Sequence, residues 1–341
     1  MKLTNRRVVV TGSSQGMGLE IAKAFSQHGA SVVVNARGTD ANGQAKLQGA
    51  AEEVSAQGGR AIAFAGDVSE PGVAEQLVAA CVEAVGGIDI LVNNAGVHSE
   101  QPIQNCSIGN WRTTMSVNLD GPFLTSRAAA PHMIAQRWGR IINATSGAAQ
   151  GGNGGTAYPA SKAGLIGLTY AMARDLGMYG ITVNGYNPQA RTPMSYGGLG
   201  EGSTEVFQSA IREFRKRGFY SQAKTDWLLG MTPANGIPRW ILYLCLDKAN
   251  YINGEIFYLD GRRVGLASQS DEMRTLLHDY SRLGPFELDE LEAVAPTFFP
   301  LENRWPLKAD AEIAEGFVSA NAPAGKAVGL GGADGPQIQG A

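Results

Sequence analysis

Val8-Val9-Val10-Thr11-Gly12-Ser13-Ser14-Gln15-Gly16-Met17-Gly18 is the stretch on which the fold turns. Three β-branched residues in a row read as a short buried strand, and they run straight into a glycine-rich turn. From Met17 to His28 the apolar residues Leu19, Ile21, Ala22, Ala24 and Phe25 recur as they do on a helix packed against a sheet. Strand, glycine turn and helix in that order let backbone N–H groups and a helix N-terminus face a pyrophosphate. A glycine-rich turn alone is weak evidence, and its place between strand and helix is what gives it weight.

Outward from this unit, six more β-rich runs follow: Ser31–Val34, Ala61–Phe64, Ile88–Val92, Arg140–Asn143, Thr182–Tyr186 and Glu255–Tyr258. The gaps between them are long enough for crossover helices. Seven such runs separated by helices predict an α/β fold with a doubly wound parallel sheet. Strands covered on both faces are continuously apolar rather than alternating, and these are.

The whole chain has 341 residues, 44% of them hydrophobic and 17% charged, which suits a sizeable core. Lys plus Arg is 28 against 31 Asp plus Glu, a net charge of -3. That balance gives no basic excess for nucleic acid or an anionic membrane. Cys81, Cys106 and Cys245 are too few and scattered for a disulfide framework or a metal clip. His28, His98, His132 and His278 show no ligand spacing, so no metal is expected. The apolar run after Arg7 is too short for a signal-peptide core, and no run of about 18 apolar residues follows. A soluble, cytoplasmic protein is the expectation.

Two regions depart from the strand–helix rhythm. Residues 195–233 begin with Gly197, Gly198, Gly200 and Gly202 and then turn helical near Glu205–Arg217, as a substrate lid beside a sheet's carboxyl edge would. Residues 266–320 form a C-terminal extension, with one short helix expected over Phe286–Ala295. Residues 321–341 are Gly, Ala and Pro with few bulky side chains and read as a mobile tail.

The Gly-x3-Gly-x-Gly spacing of Gly12, Gly16 and Gly18 resembles the short-chain dehydrogenase/reductase family, and further motifs follow in the family's order. Asp67-Val68 ends the third strand. Asn93-Asn94-Ala95-Gly96 matches the NNAG after the fourth, Asn118 the helix asparagine, and Tyr158-Pro159-Ala160-Ser161-Lys162 the YxxxK. The resemblance covers about residues 4–265. It implies a Rossmann-type single domain, residues 1–265, that binds a dinucleotide and carries the catalytic residues.

It also implies roles. Gly12, Ser14, Gln15, Gly16, Met17 and Gly18 would cradle the phosphates, Asp67 and Val68 would meet the adenine, and Asn94, Ala95 and Gly96 would line the cofactor cleft. Pro188 and Thr192, in Asn187-Pro188-Gln189-Ala190-Arg191-Thr192, would sit at the nicotinamide. Lys162 would hold the nicotinamide ribose, and Asn118 would support a water-mediated proton relay. Family members commonly form dimers or tetramers, so a homo-oligomer is expected.

Ketone reduction needs a hydride on carbon and a proton on oxygen, and only the second comes from the protein. The Tyr158 phenol has an ordinary pKa near 10, too high for a base at neutral pH. Lys162, four residues on, shares its helix face and would lower that pKa. The hydroxyl that holds the carbonyl oxygen is Ser146 when counted from the fifth strand. Counting back thirteen residues from Tyr158 gives Thr145 instead. Ser146 is favoured, because the strand fixes the geometry more firmly than a glycine-rich loop.

After the second strand stands Ala36, where NAD-selective relatives carry an acidic residue, and then Arg37, which suits a 2′-phosphate. NADP(H) is therefore expected ahead of NAD(H). Gln189 replaces the family's usual glycine, and the surrounding Pro-x-Ala-x-Thr-x-Met form resembles the dehydrogenase domain of peroxisomal multifunctional enzymes and their bacterial homologues. That branch implies 3-oxoacyl or 3-hydroxyacyl thioesters as substrates, with Arg212, Arg215, Lys216 and Arg217 as candidates for a CoA phosphate. The alternatives are reduction of a cyclic or polycyclic ketone, or a non-catalytic nucleotide-binding regulator.

Overall fold

The apolar runs become the strands of one eight-stranded sheet, and the intervening segments become the helices that cover it. The computed structural model describes residues 2–38, 40–151, 155–192, 204–216, 222–230 and 232–267. The elements run β1 (Arg7–Val10), α1 (Gly16–Gln27), β2 (Ser31–Ala36), α2 (Ala41–Ser55), β3 (Ala61–Ala65), α3 (Pro71–Val85) and β4 (Ile90–Asn93). Next come α4 (Ile108–Met115), α5 (Gly121–Gln136), β5 (Gly139–Ala144), α6 (Ala157–Gly177), β6 (Ile181–Pro188) and β7 (Ala190–Arg191). The series closes with α7 (Thr204–Lys216), α8 (Gln222–Leu229), β8 (Thr232–Pro233), α9 (Pro238–Leu244), β9 (Ile256–Leu259) and β10 (Val264–Leu266).

All seven expected strands form, each within two residues of its expected ends. The sheet order is β10-β9-β6-β5-β4-β1-β2-β3, parallel throughout except for β10, which runs antiparallel on β9. β1 pairs with both β2 and β4, so the strand order reverses beside it. In open α/β sheets ligands bind outside the carboxyl ends of the strands at such a switch point. The glycine turn after β1 and the NNAG segment after β4 both lie there.

Two apolar layers hold the sheet. One packs Phe25, Ile21, Leu47 and Val54 of α1 and α2 with Ile237 and Ile241 on one face. The other packs Leu77, Val78 and Cys81 of α3 with Met133 of α5 and Ala173 of α6 on the opposite face. The two layers account for continuous runs such as Val8-Val9-Val10, whose alternate side chains enter opposite layers.

Three features were not expected from the sequence. β10 extends the sheet by one antiparallel strand, and β7 pairs with β8 in a separate two-stranded ribbon. Ser116–Asp120, between α4 and α5, winds as a π-helical turn. The chain divides into a main unit, with residues up to Gln208 and again from Trp227, and a second unit that includes Ser209–Asp226. In that second unit α7 carries Arg212, Arg215 and Lys216 as exposed residues, with Ile211 buried. The expected C-terminal helix and tail, Arg217, and much of the expected lid lie outside the described residues.

Candidate active site

Thr11 ends β1 and ties the two sides of the switch point together. Its Oγ1 accepts hydrogen bonds from the Asn94 and Ala95 N–H groups, both at 3.0 Å. The Asn94 side chain returns the contact, its Nδ2 donating to the Thr11 and Gly12 carbonyls at 3.0 Å. Backbone packing here is close enough to require glycine. Gly12 has φ +62, and a Cβ on it would lie 2.7 Å from Ala95 Cα. A Cβ on Gly18 would run into the Gly12 carbonyl and come within 2.9 Å of Ser13 Cα. The result is a tight backbone turn opening onto the N-terminus of α1, whose first residues are Gly16, Met17 and Gly18.

The other residues expected to meet a cofactor stand as follows. Ser14 is half-buried and Gln15 is exposed at the N-cap of α1, its side chain in hydrogen-bond contact with Lys46. Asp67 follows β3 and accepts from the Ser69 N–H and hydroxyl at 3.0 and 2.7 Å, so its carboxylate fixes a turn, while Val68 is buried in the core. Ala36 ends β2, and Arg37 behind it is exposed without an ion pair among the described residues. Pro188 closes β6, and Thr192 is half-buried just after β7. The N–H donors, the helix end and the absence of side-chain bulk suit a dinucleotide's pyrophosphate.

Across the same carboxyl edge lie the residues suited to proton transfer. Tyr158 and Lys162 stand one turn apart near the start of α6, both buried. The Ser146 side chain stands near enough to the Tyr158 phenol to lower its pKa, and it accepts from Ala148 N–H at 3.1 Å at the start of a short 3-10 turn. Thr145, the other candidate by counting, is buried and its Oγ1 has no hydrogen-bond partner. Of the two hydroxyls, the one the structure brings to Tyr158 is Ser146.

The electrostatics differ from expectation. Burial raises the Tyr158 pKa above its ordinary value, and the nearby Ser146 hydroxyl pulls it back only in part. Lys162 does not offset this. Its Nζ donates to the Ala144 carbonyl at 2.6 Å and lies 5.8 Å from the phenol ring centroid. Burial lowers its own pKa to about 8, because no carboxylate compensates the desolvated ammonium.

Asn118 sits on the π-helical turn, where the extra residue re-aims its side chain inward. Its Oδ1 accepts from Val97 N–H at 2.8 Å, and its Nδ2 donates to the Val97 carbonyl at 2.9 Å and to Ser161 Oγ at 3.1 Å. Asn118 therefore bolts the loop after β4 to α6 beside Tyr158. Two contributors had no sequence motif. The Tyr186 hydroxyl donates to Asn94 Oδ1 at 3.0 Å and orients that carboxamide, and the His98 ring stands edge-on to Tyr158. An aromatic residue near the carboxyl end of the sixth strand, and a histidine two residues past the NNAG segment, were the available signals.

Comparison with known proteins establishes the family. The family model described as short chain dehydrogenase matches residues 6–196. The chain belongs to the short-chain dehydrogenase family. It is 34% identical over 264 residues to the (2S)-[(R)-hydroxy(phenyl)methyl]succinyl-CoA dehydrogenase subunit BbsD of Thauera aromatica, covering 77% of this chain and 98% of that one. With the hydroxyacyl-CoA dehydrogenase ChsB1 of Mycobacterium tuberculosis it shares 32% identity, over 84% of this chain and 87% of the other. Among solved structures, a short chain dehydrogenase from Mycobacterium avium superposes with a TM-score of 0.72 at 28% identity, covering 87% of this chain and 96% of its own. This short-chain dehydrogenase is accordingly an oxidoreductase that uses NAD(P). Among the described residues no helix is long and apolar enough to cross a membrane.

Proposed function

We propose that this enzyme interconverts a ketone and a secondary alcohol with NADP(H), acting on a 3-oxoacyl or 3-hydroxyacyl thioester. The observation that carries the reading is the buried phenol of Tyr158, beside the Ser146 side chain and one helical turn from buried Lys162. Ser146 would hold the substrate oxygen and Tyr158 would deliver or take its proton, with Asn118 keeping the proton path in place. The bound nicotinamide supplies the hydride. Lys162 would hold the nicotinamide ribose and Thr192 the carboxamide side. The protonated phenol is the form that acts as an acid in reduction, and the phenolate the form that acts as a base in oxidation.

The choice of NADP(H) rests on Ala36 and Arg37. Ala36 offers no carboxylate to repel a 2′-phosphate, and the exposed Arg37 guanidinium is free of any described carboxylate. A thioester substrate is supported by the names of the two CoA-acting relatives, BbsD and ChsB1. The enzyme is further read as a cytoplasmic homo-oligomer, a dimer or tetramer. Exposed Ile108 and Trp111 on α4 and Phe123 on α5 supply an apolar face for such an assembly.

The test follows cofactor absorbance with NADPH and NADH side by side, offering a 3-oxoacyl-CoA and a compact cyclic ketone. Consumption of NADPH with the thioester at higher kcat/KM than either alternative is the expected result. Turnover of the ketone alone would refute the thioester assignment, and equal or better use of NADH would refute the role given to Arg37.

A further inference from the structure

The loop after β4 holds an aromatic side chain against the proposed acid in a way that the motifs do not account for. The loop is fixed on both sides of His98. Val97, before it, is held through both its N–H and its carbonyl by Asn118, at 2.8 and 2.9 Å. After it, Ser99 Oγ donates to Asn110 Oδ1 at 2.9 Å, and Thr156 N–H donates to the Gln101 carbonyl at 3.0 Å. Gly155, just before α6, makes this last approach possible: a Cβ there would overlap the Ser99 carbonyl and lie 3.1 Å from Glu100 Cα.

Between these anchors the His98 ring meets the Tyr158 ring edge-on, centroids 4.6 Å apart and planes at 79°. His98 Nε2 lies 3.1 Å from Glu100 Oε1, which sets the ring's orientation. The phenol needs a wall on that side. Lys162 is engaged with the Ala144 carbonyl rather than with the phenol, so it does not fix the hydroxyl. Tyr158 is 9% exposed, whereas the His98 side chain keeps 28% of its surface. The two rings are in contact, and the phenol is the more buried of the pair.

We propose that His98, oriented by Glu100, is a positioning residue that braces the Tyr158 ring so that its hydroxyl stays beside Ser146. This rests on the reading that Tyr158 transfers the proton. The brace needs an aromatic wall, not a charge, and the tests separate the two. In the full-length enzyme, kcat and KM are measured for His98→Ala, His98→Phe and Glu100→Gln, with cofactor Kd from fluorescence titration. His98→Ala is expected to lower kcat about tenfold, near the upper end of what one aromatic pair contributes, and to leave cofactor Kd unchanged. His98→Phe is expected to restore most of the loss, and Glu100→Gln, which keeps a hydrogen-bonding oxygen, to stay within about threefold of the unmodified enzyme. An unchanged kcat in His98→Ala, or a His98→Phe enzyme as slow as His98→Ala, would overturn the proposal. Tyr158→Phe is the control. If it keeps turnover, the proton-transfer reading fails whatever His98 does; if it is inactive while His98→Ala is normal, only the brace fails.

Discussion

Lys162 is a buried ammonium without a carboxylate, and that makes it a measurable cost to the fold. Burial holds its pKa at about 8 in the native protein, against an ordinary value of 10.5. Between those two pH values the unfolded chain binds a proton that the native protein has released, so Lys162 makes stability rise with pH. One pH unit is worth about 1.4 kcal/mol, so the rise from pH 7 to 9.5 is roughly 2 kcal/mol, nearly all of it above pH 8. The bond to the Ala144 carbonyl favours the ammonium and trims that figure.

Lys162→Met keeps the length of the side chain and removes the titration. Cys81 and Cys245, which burial pushes up to about 12, titrate in both proteins and cancel in the difference. Urea denaturation of both at pH 7 and pH 9.5 is the assay. The unmodified enzyme is expected to gain about 2 kcal/mol on the variant across that window. At pH 7 the inactive variant is expected to be at least as stable, the usual relation for a residue kept for function. A difference that stays flat with pH, or that grows in the variant's favour, would refute the description of Lys162 as a desolvated ammonium.

Three further outcomes follow from the same geometry. Asn118→Ala strands the Val97 N–H and the Val97 carbonyl, at about 1 kcal/mol each, while the Ser161 hydroxyl keeps its bond to the Tyr158 carbonyl. Its Tm should fall by roughly 4–8 °C in a thermal melt. Gly18→Ala forces a methyl against the Gly12 carbonyl and opens the turn, so NADPH Kd by fluorescence titration should weaken at least about tenfold. Arg37→Ala should raise KM for NADPH several-fold while leaving KM for NADH unchanged, because only the 2′-phosphate is addressed.

The sheet was legible because both of its faces are covered. Seven strands announce themselves as continuous apolar runs, and the glycines at 12 and 18 are required by backbone contacts that leave no room for a side chain. β10 was not legible: Val264-Gly265-Leu266 is an exposed edge with no buried face to impose a pattern. Nor was the π-helical turn at Asn118, since one extra residue in a helix leaves no compositional trace.

At the site, residue types were easier to read from the sequence than the couplings between them. Tyr158 and Lys162 share a helix face as their spacing requires, yet the ammonium reaches a backbone carbonyl and the phenol's pKa rises. Spacing places two side chains on one face but does not say which acceptor a flexible lysine finds or how dry the pocket is. The Thr145 or Ser146 ambiguity had the same origin. Counting cannot see which hydroxyl turns toward the phenol at the strand end.

The central claim is that the Tyr158 hydroxyl transfers the proton that accompanies the hydride. Tyr158→Phe removes that hydroxyl and keeps the ring against His98. With NADPH and a 3-oxoacyl-CoA, kcat is predicted to fall by about 10²–10⁴-fold, while NADPH Kd by fluorescence titration stays within twofold, about the scatter of such titrations. Turnover retained within about threefold of the unmodified enzyme, a loss far too small for a missing general acid, would contradict the account.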